Sequence, residues 1–218
     1  MDTIKDYFPK YDSLDSEAQE LIKTSTYEKH CKKGDVIVES STCLGLVIVK
    51  SGQLRAFINS DEGREITLYR LFEYDLCLFA ASCALKDLQF DIQIIAEKDS
   101  DLFVIPTDVY KKLMETNLIV ANYTNSVLSS RLSEVMWLLE QVVFKSLDKR
   151  LASLLLDEAS INGSDILSTT HDTLASHLGS AREVITRMLK YFQDEKLVTL
   201  SRGKIELLDK ERLEEIGE

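Results

Sequence analysis

Arg182, Glu183, Thr186 and Arg187 are the residues in this chain whose types and spacing suit specific chemistry. A guanidinium donates two parallel hydrogen bonds to a surface offering paired acceptors, such as O6 and N7 of guanine, and a carboxylate accepts from an amine such as N4 of cytosine. A threonine can meet a phosphate with its hydroxyl or a thymine with its methyl. For the four to act together they must project to one side. If residues 181–189 are helical, each advances about 100° around the axis; with Arg182 at zero, Thr186 falls near 40°, Lys190 near 80°, Glu183 near 100° and Arg187 near 140°. Ala181, Val184, Ile185, Met188 and Leu189 occupy the arc from about 200° to 340°, which faces a core. The same split also describes an ordinary amphipathic surface helix whose charges are merely solvated.

The flanks narrow the choice. Ser180 can cap this helix, with Glu183 completing a capping box, and Gly179 before it suits a tight turn at positive φ. Upstream, residues 171–178 read as a short helix with Leu174, Ala175 and Leu178 inward and Thr169 or Thr170 as its cap. Two short helices joined by a glycine turn form a helix-turn-helix. Beyond them "LVTLSRGKIELLD" (197–209) predicts two short strands around Arg202-Gly203, the form of a wing. Such a unit points to double-stranded DNA. Arg182, Glu183, Thr186 and Arg187 would read bases, while Thr170, Ser180, Arg202 and Lys204 would grip phosphate, which positions without specifying. Glu183 is also open to a capping role alone.

The charge of the chain sets a constraint on that reading. The 218 residues carry a formal net charge of −11, which argues against indiscriminate polyanion binding. From residue 170 to 204, however, six Lys/Arg stand against four Asp/Glu, so the sign reverses where the motif lies. No apolar run approaches the length of a membrane span, and the first 15 residues lack the basic and apolar regions of a signal peptide. Four cysteines (Cys31, Cys43, Cys77, Cys83) without a CxxC pair predict mostly free thiols and a cytoplasmic location.

The elements that must position the motif follow along the chain. Residues 1–26 read as helical and peripheral, with Leu14, Ala18, Leu21 and Ile22 on one face. From Tyr27 to Ile105 short β-type runs recur at 36–38, 46–58, 65–72, 90–97 and 101–106, with turn signals at Gly34, Gly52 and Gly63. That spacing argues for a sandwich or jelly roll. Residues 117–144 lack proline and glycine. Within them Asn125, Leu128, Leu132, Val135, Leu139 and Val142 recur every three or four residues, a seam for a second copy of the chain. A helix packed on its own barrel is the other reading. The expected class is α+β: a jelly-roll sensory domain (1–116), a dimerisation helix (117–145) and a winged helix-turn-helix domain (146–218).

This order of elements resembles the CRP/FNR family of bacterial transcription regulators. The resemblance is carried most by "FKSLDKRLASLLL" (144–156) and by residues 170–209, where Arg182, Glu183 and Arg187 stand in the places of the family's Arg-Glu-x-x-x-Arg. It implies a homodimer on a two-fold symmetric operator with a G·C-containing half-site, activating or repressing transcription, with RNA polymerase as a further partner. The effector loop departs from the cyclic-nucleotide members. Phe90-Asp91 fall where an Arg-Ser pair should hold phosphate, Ala80 falls near the place of the ribose-binding glutamate, and Val135 and Met136 offer a purine no hydrogen bonds. The chain therefore does not look like a cyclic AMP receptor. The cysteine spacings match no iron–sulfur ligation pattern, and His30, the one histidine outside the DNA-binding part, reads as a strand-surface residue rather than a haem ligand. Cys77 and Cys83, in "DLCLFAASCAL" (75–85), read as buried small residues, as a thiol sensor or as the wall of an apolar effector pocket with Phe90, Asp91, Val135 and Met136. The effector stays unidentified. No metal site, and no nucleophile, phosphate-loop or dinucleotide motif, supports an enzyme. The remaining alternative is a ligand-binding or oligomerisation module without DNA binding.

Overall fold

The computed structural model describes residues 3–38, 44–78 and 92–218. They form two compact units: Met1–Ile58 with Leu68–Val135, and Asn59–Thr67 with Met136–Glu218.

The first unit is built on two antiparallel four-stranded sheets. One runs in the order β1 (Tyr27–Cys31), β8 (Ser100–Ile105), β3 (Leu46–Ser51), β6 (Leu76–Cys77). The other runs β2 (Val36–Val38), β7 (Ile92–Ala96), β4 (Leu54–Asn59), β5 (Glu65–Leu71), of which Asn59 and Glu65–Thr67 belong to the second unit. Between them lie Val47, Val49, Leu54, Ala56, Leu71, Ile94, Leu102 and Val104, all buried. In β7 buried and half-buried positions alternate, as in a strand with one face on the core. By contrast, "LVIV" in β3 and "LFVI" in β8 are apolar without a break because both faces of that sheet are covered. Their outer face, with Ile48, Phe103 and Ile105, packs on α1 (Ile4–Tyr7), α2 (Ser16–Ser25) and α3 (Thr107–Thr116). The N-terminal segment is thus not peripheral: Leu14, Ala18 and Ile22 are core residues, because an apolar sheet face requires a cover. Gly45, at φ +122, lets the chain enter β3 where any Cβ would run into the Ile105 carbonyl.

Helix α4 (Leu118–Phe144) follows directly. Asn117 opens it, its Oδ1 accepting from Ile119 N and Val120 N at 3.0 and 3.3 Å, while its Nδ2 donates to Asp15 Oδ2 at 3.2 Å. Asp15 in turn caps α2 through Ala18 N. Two helix ends are therefore held through one pair of polar side chains. In the core, Tyr110 of α3 meets Thr124 of α4 with 2.6 Å between their hydroxyls.

In the second unit α5 (Leu147–Asn162), α6 (His171–Leu178), α7 (Arg182–Asp194) and α8 (Lys210–Gly217) surround a core of Leu151, Leu155, Leu174, Ile185, Leu189 and Phe192. A three-stranded sheet in the order β10 (Val198–Ser201), β11 (Lys204–Leu207), β9 (Ile166–Leu167) closes it. The wing strands were legible in sequence; β9, two residues long, was not. Among the described residues no helix is long and apolar enough to cross a membrane.

Candidate nucleic-acid interface

Helix α6 begins at Thr170, whose hydroxyl accepts from Thr173 N at 3.1 Å, and ends at Gly179 in the left-handed region at φ 65. The turn closes when Gly179 N and Ser180 N both donate to the Ala175 carbonyl. That closure decides where the second helix starts. Ala181, with φ −82 and ψ 143, is its N-cap, and its carbonyl accepts from Val184 N and Ile185 N. Ser180 is therefore not the cap, and the expected capping box does not form. Its backbone completes the preceding turn, and Glu183 falls one position too early to reach back.

The inner arc of α7 behaves as its periodicity requires: Ile185, Leu189 and Phe192 are fully buried. Arg182, Glu183, Thr186, Arg187 and Lys190 are exposed on the outer arc. Two contacts cross from α6 to this face. Arg182 Nη1 lies 3.4 Å from Asp172 Oδ2, both side chains more than 60% exposed, so the pair contributes little stability and is readily exchanged. His171 Nδ1 lies 2.9 Å from Thr186 Oγ1, which also lies 2.9 Å from the Arg182 carbonyl. When the Thr186 hydroxyl donates to that carbonyl, it accepts from His171 in the tautomer protonated at Nδ1. Nothing in the local periodicity marks His171 or Asp172 as members of the face; only the helix crossing brings them there. Arg202 and Lys204 are exposed at the tip of the wing, on either side of Gly203 at φ 72.

The turn between the helices has a further neighbour within the same unit. Ile66 pairs with Leu178 as an isolated β-bridge, Thr67 Oγ1 lies 2.8 Å from His177 Nδ1, and the bare Cα of Gly179 leaves room for Ile66.

The other expected site residues lie in the first unit or along α4. Cys77 is buried in β6, beside buried Tyr69 of β5. Cys83, Phe90 and Asp91, like Cys43 and Ala80, lie outside the described residues. His30 is an exposed residue of β1 whose Nδ1 lies 2.8 Å from Asp101 Oδ1. Of the seam, Leu132, Leu139 and Val142 are exposed, Val135 is half-buried, Asn125 is exposed, and Leu128 is partly buried against the N-terminal core. Met136, Trp137, Val143 and Phe144 add to the exposed apolar surface at the end of the helix.

Residues 149–216 match the model of the Crp-like helix-turn-helix domain, and residues 28–117 match the model of the cyclic nucleotide-binding domain. A crystal structure of a transcriptional regulator of the Crp/Fnr family from Eubacterium rectale is 55% identical, covers 97% of this chain and 98% of its own, and superposes with a TM-score of 0.95. The chain belongs to the Crp/Fnr family. This Crp/Fnr regulator is 28% identical over 172 residues, 79% of either chain, to the cyclic AMP receptor protein of Thermus thermophilus. It shares its fold with the c-di-GMP responsive global regulator CLP of Xanthomonas campestris, at 17% identity and a TM-score of 0.76 over 89% of this chain and 100% of that one. The regulator is thus a DNA-binding transcription regulator in which a cyclic nucleotide-binding-like domain precedes the helix-turn-helix. A module without DNA binding is the weaker account. The family is one of transcriptional regulators, not enzymes.

Proposed function

We propose that the regulator binds a two-fold symmetric operator as a homodimer, with α7 in the major groove of each half-site. Arg182 and Arg187 each donate two hydrogen bonds to a guanine, and Glu183 accepts from cytosine N4. Thr186, whose hydroxyl is engaged by His171 and the Arg182 carbonyl, offers its methyl to thymine. Thr170, Ser180, Arg202 and Lys204 set the register on phosphate. The observation that carries this reading is the division of α7 into a sealed inner arc and an outer arc bearing two arginines and a glutamate. The dimer seam is Asn125, Leu128, Leu132, Val135, Leu139 and Val142 on α4, and its support is the row of apolar side chains left exposed there. The sensory domain (1–116), dimerisation helix (117–145) and DNA-binding domain (146–218) then divide the work in chain order. The N-terminal domain answers an effector or redox signal other than a cyclic nucleotide, and RNA polymerase is the partner at the promoter.

A gel shift with the promoter of the regulator's own operon tests the reading. We expect a complex that resists excess random DNA and protects two inverted half-sites about one helical turn apart. Equal competition by random DNA would remove it.

A further inference from the structure

The first unit contains a cavity of 290 Å³ between the turn joining β5 to β6 and one face of α4. Tyr74 and Asp75 come from the turn; Tyr123, Ser126, Ser130 and Arg131 come from the helix at spacings that share a face. Of the residues expected to meet an effector, the described ones, Cys77, Val135 and Met136, do not line it.

Tyr74 is the unusual residue. Its φ of 72 is a conformation that glycine adopts freely and a bulky residue does not. Its ring nevertheless stacks on Tyr7 at 4.7 Å and 15°, and Tyr7 leans on Phe103. Tyr74 itself stays 56% exposed. A turn strained to present a supported aromatic ring beside a cavity is the pattern of a ligand site.

The polar groups say which ligand. Arg131 is fixed over the Tyr69 ring and through Nη1 to both oxygens of Glu134 at 2.9 and 2.7 Å. Its Nη2 stands 3.9 Å from Asp75 Oδ1, too far for a hydrogen bond. An anion between them would face Asp75 and Glu134, and a cation would face Arg131. A hydroxyl accepts from the guanidinium and donates to the carboxylate at once. Tyr123 is held in the neutral, hydroxyl form, since burial first and Asp75 second push its phenol up. Together with Ser126, Ser130 and Tyr74 it extends the line of groups that both donate and accept. We propose that this cavity binds a neutral polyhydroxylated molecule of monosaccharide size, its hydroxyls on Asp75, Arg131 and the serines and its less polar face on a tyrosine ring. The proposal concerns binding and does not depend on how operator DNA is read.

The test is saturation-transfer NMR and calorimetry on the full-length protein with D-glucose, D-ribose and myo-inositol, with acetate and methylammonium as charged controls, each at about 10 mM. Ser130→Phe fills the cavity from an exposed position, and Ser126→Leu does so if the first variant fails to fold. We expect saturable binding of at least one polyol with a Kd on the order of 1 mM, weakened at least about tenfold by the filling variant while operator affinity is kept. No binding of any polyol, binding of a charged control instead, or undiminished binding by the filled variant overturns the proposal.

Discussion

Arg182 and Arg187 lie on one face of α7, yet they are not equivalent. Arg182 shares its charge with Asp172 across the helix crossing, whereas Arg187 makes no hydrogen bond or ion pair with the described residues. Arg187→Ala is expected to cost about 1–3 kcal/mol per half-site and to relax preference at one base position. Lys204→Ala, at the wing tip, should weaken binding to all sequences alike and flatten the salt dependence. Titrations of operator and random DNA at several salt concentrations separate the two outcomes; an equal loss on both DNAs for Arg187→Ala would refute base reading. The effector side is a proposal at the same scale. If the sequence alignment that sets Phe90-Asp91 in the place of an arginine-serine pair is right, a cyclic nucleotide's phosphate would lose a charge-assisted donor and meet a carboxylate. That costs several kcal/mol, on the order of a thousandfold in affinity. Calorimetry with cyclic AMP or cyclic GMP in about 100-fold excess should show no heat of binding and no change in operator affinity. Micromolar binding of either would show that the loop holds phosphate by other groups.

At the scale of elements, the α6–α7 turn carries the most demanding geometry. Gly179 needs a left-handed conformation to end α6, and a Cβ there would sit 3.3 Å from Ile66. Gly179→Ala should therefore cost about 1–2 kcal/mol from the backbone alone, with the displaced Ile66 adding to it. Calorimetric melting should show a transition lowered by about 2–4 °C per kcal/mol. An unchanged Tm would mean that the turn relaxes without loss. The same turn explains why the predicted helix start is one residue early. Serine is a good cap in general, but here its N–H closes the previous helix, leaving the plain backbone of Ala181 to begin the next.

At the scale of the molecule, α4 joins the parts, and its exposed apolar row has consequences for assembly. Leu132 is 64% exposed and Leu139 is 52% exposed, unlike the buried leucines of either core. Leu132→Asp or Leu139→Asp would set two like charges facing each other without partners in a dimer seam. Sedimentation should then report monomers, and operator binding should be lost with the second half-site. Wild-type protein sedimenting as a monomer at micromolar concentration would remove the seam from the account.

The features legible in the sequence were those set by neighbours a few residues apart. The inner arc of α7, the glycines at 179 and 203, the paired wing strands and the proline-free run of α4 all follow from periodicity and turn chemistry, which act locally. Even the two sheets were foreshadowed by strands between glycine turns. What the tertiary structure alone decided lies between residues distant in sequence. The burial of Leu14, Ala18 and Ile22 came from a sheet face that needed covering. Strand β9 exists only because β11 offers it an edge, Glu206 pairing with Ile166. His171 and Asp172 join the polar face because α6 crosses α7. Tyr74 and Arg131 share a cavity although 57 positions separate them in the chain. Periodicity assigns a side chain to a face of its own element; what that face meets is set by packing between elements, and no local pattern encodes it.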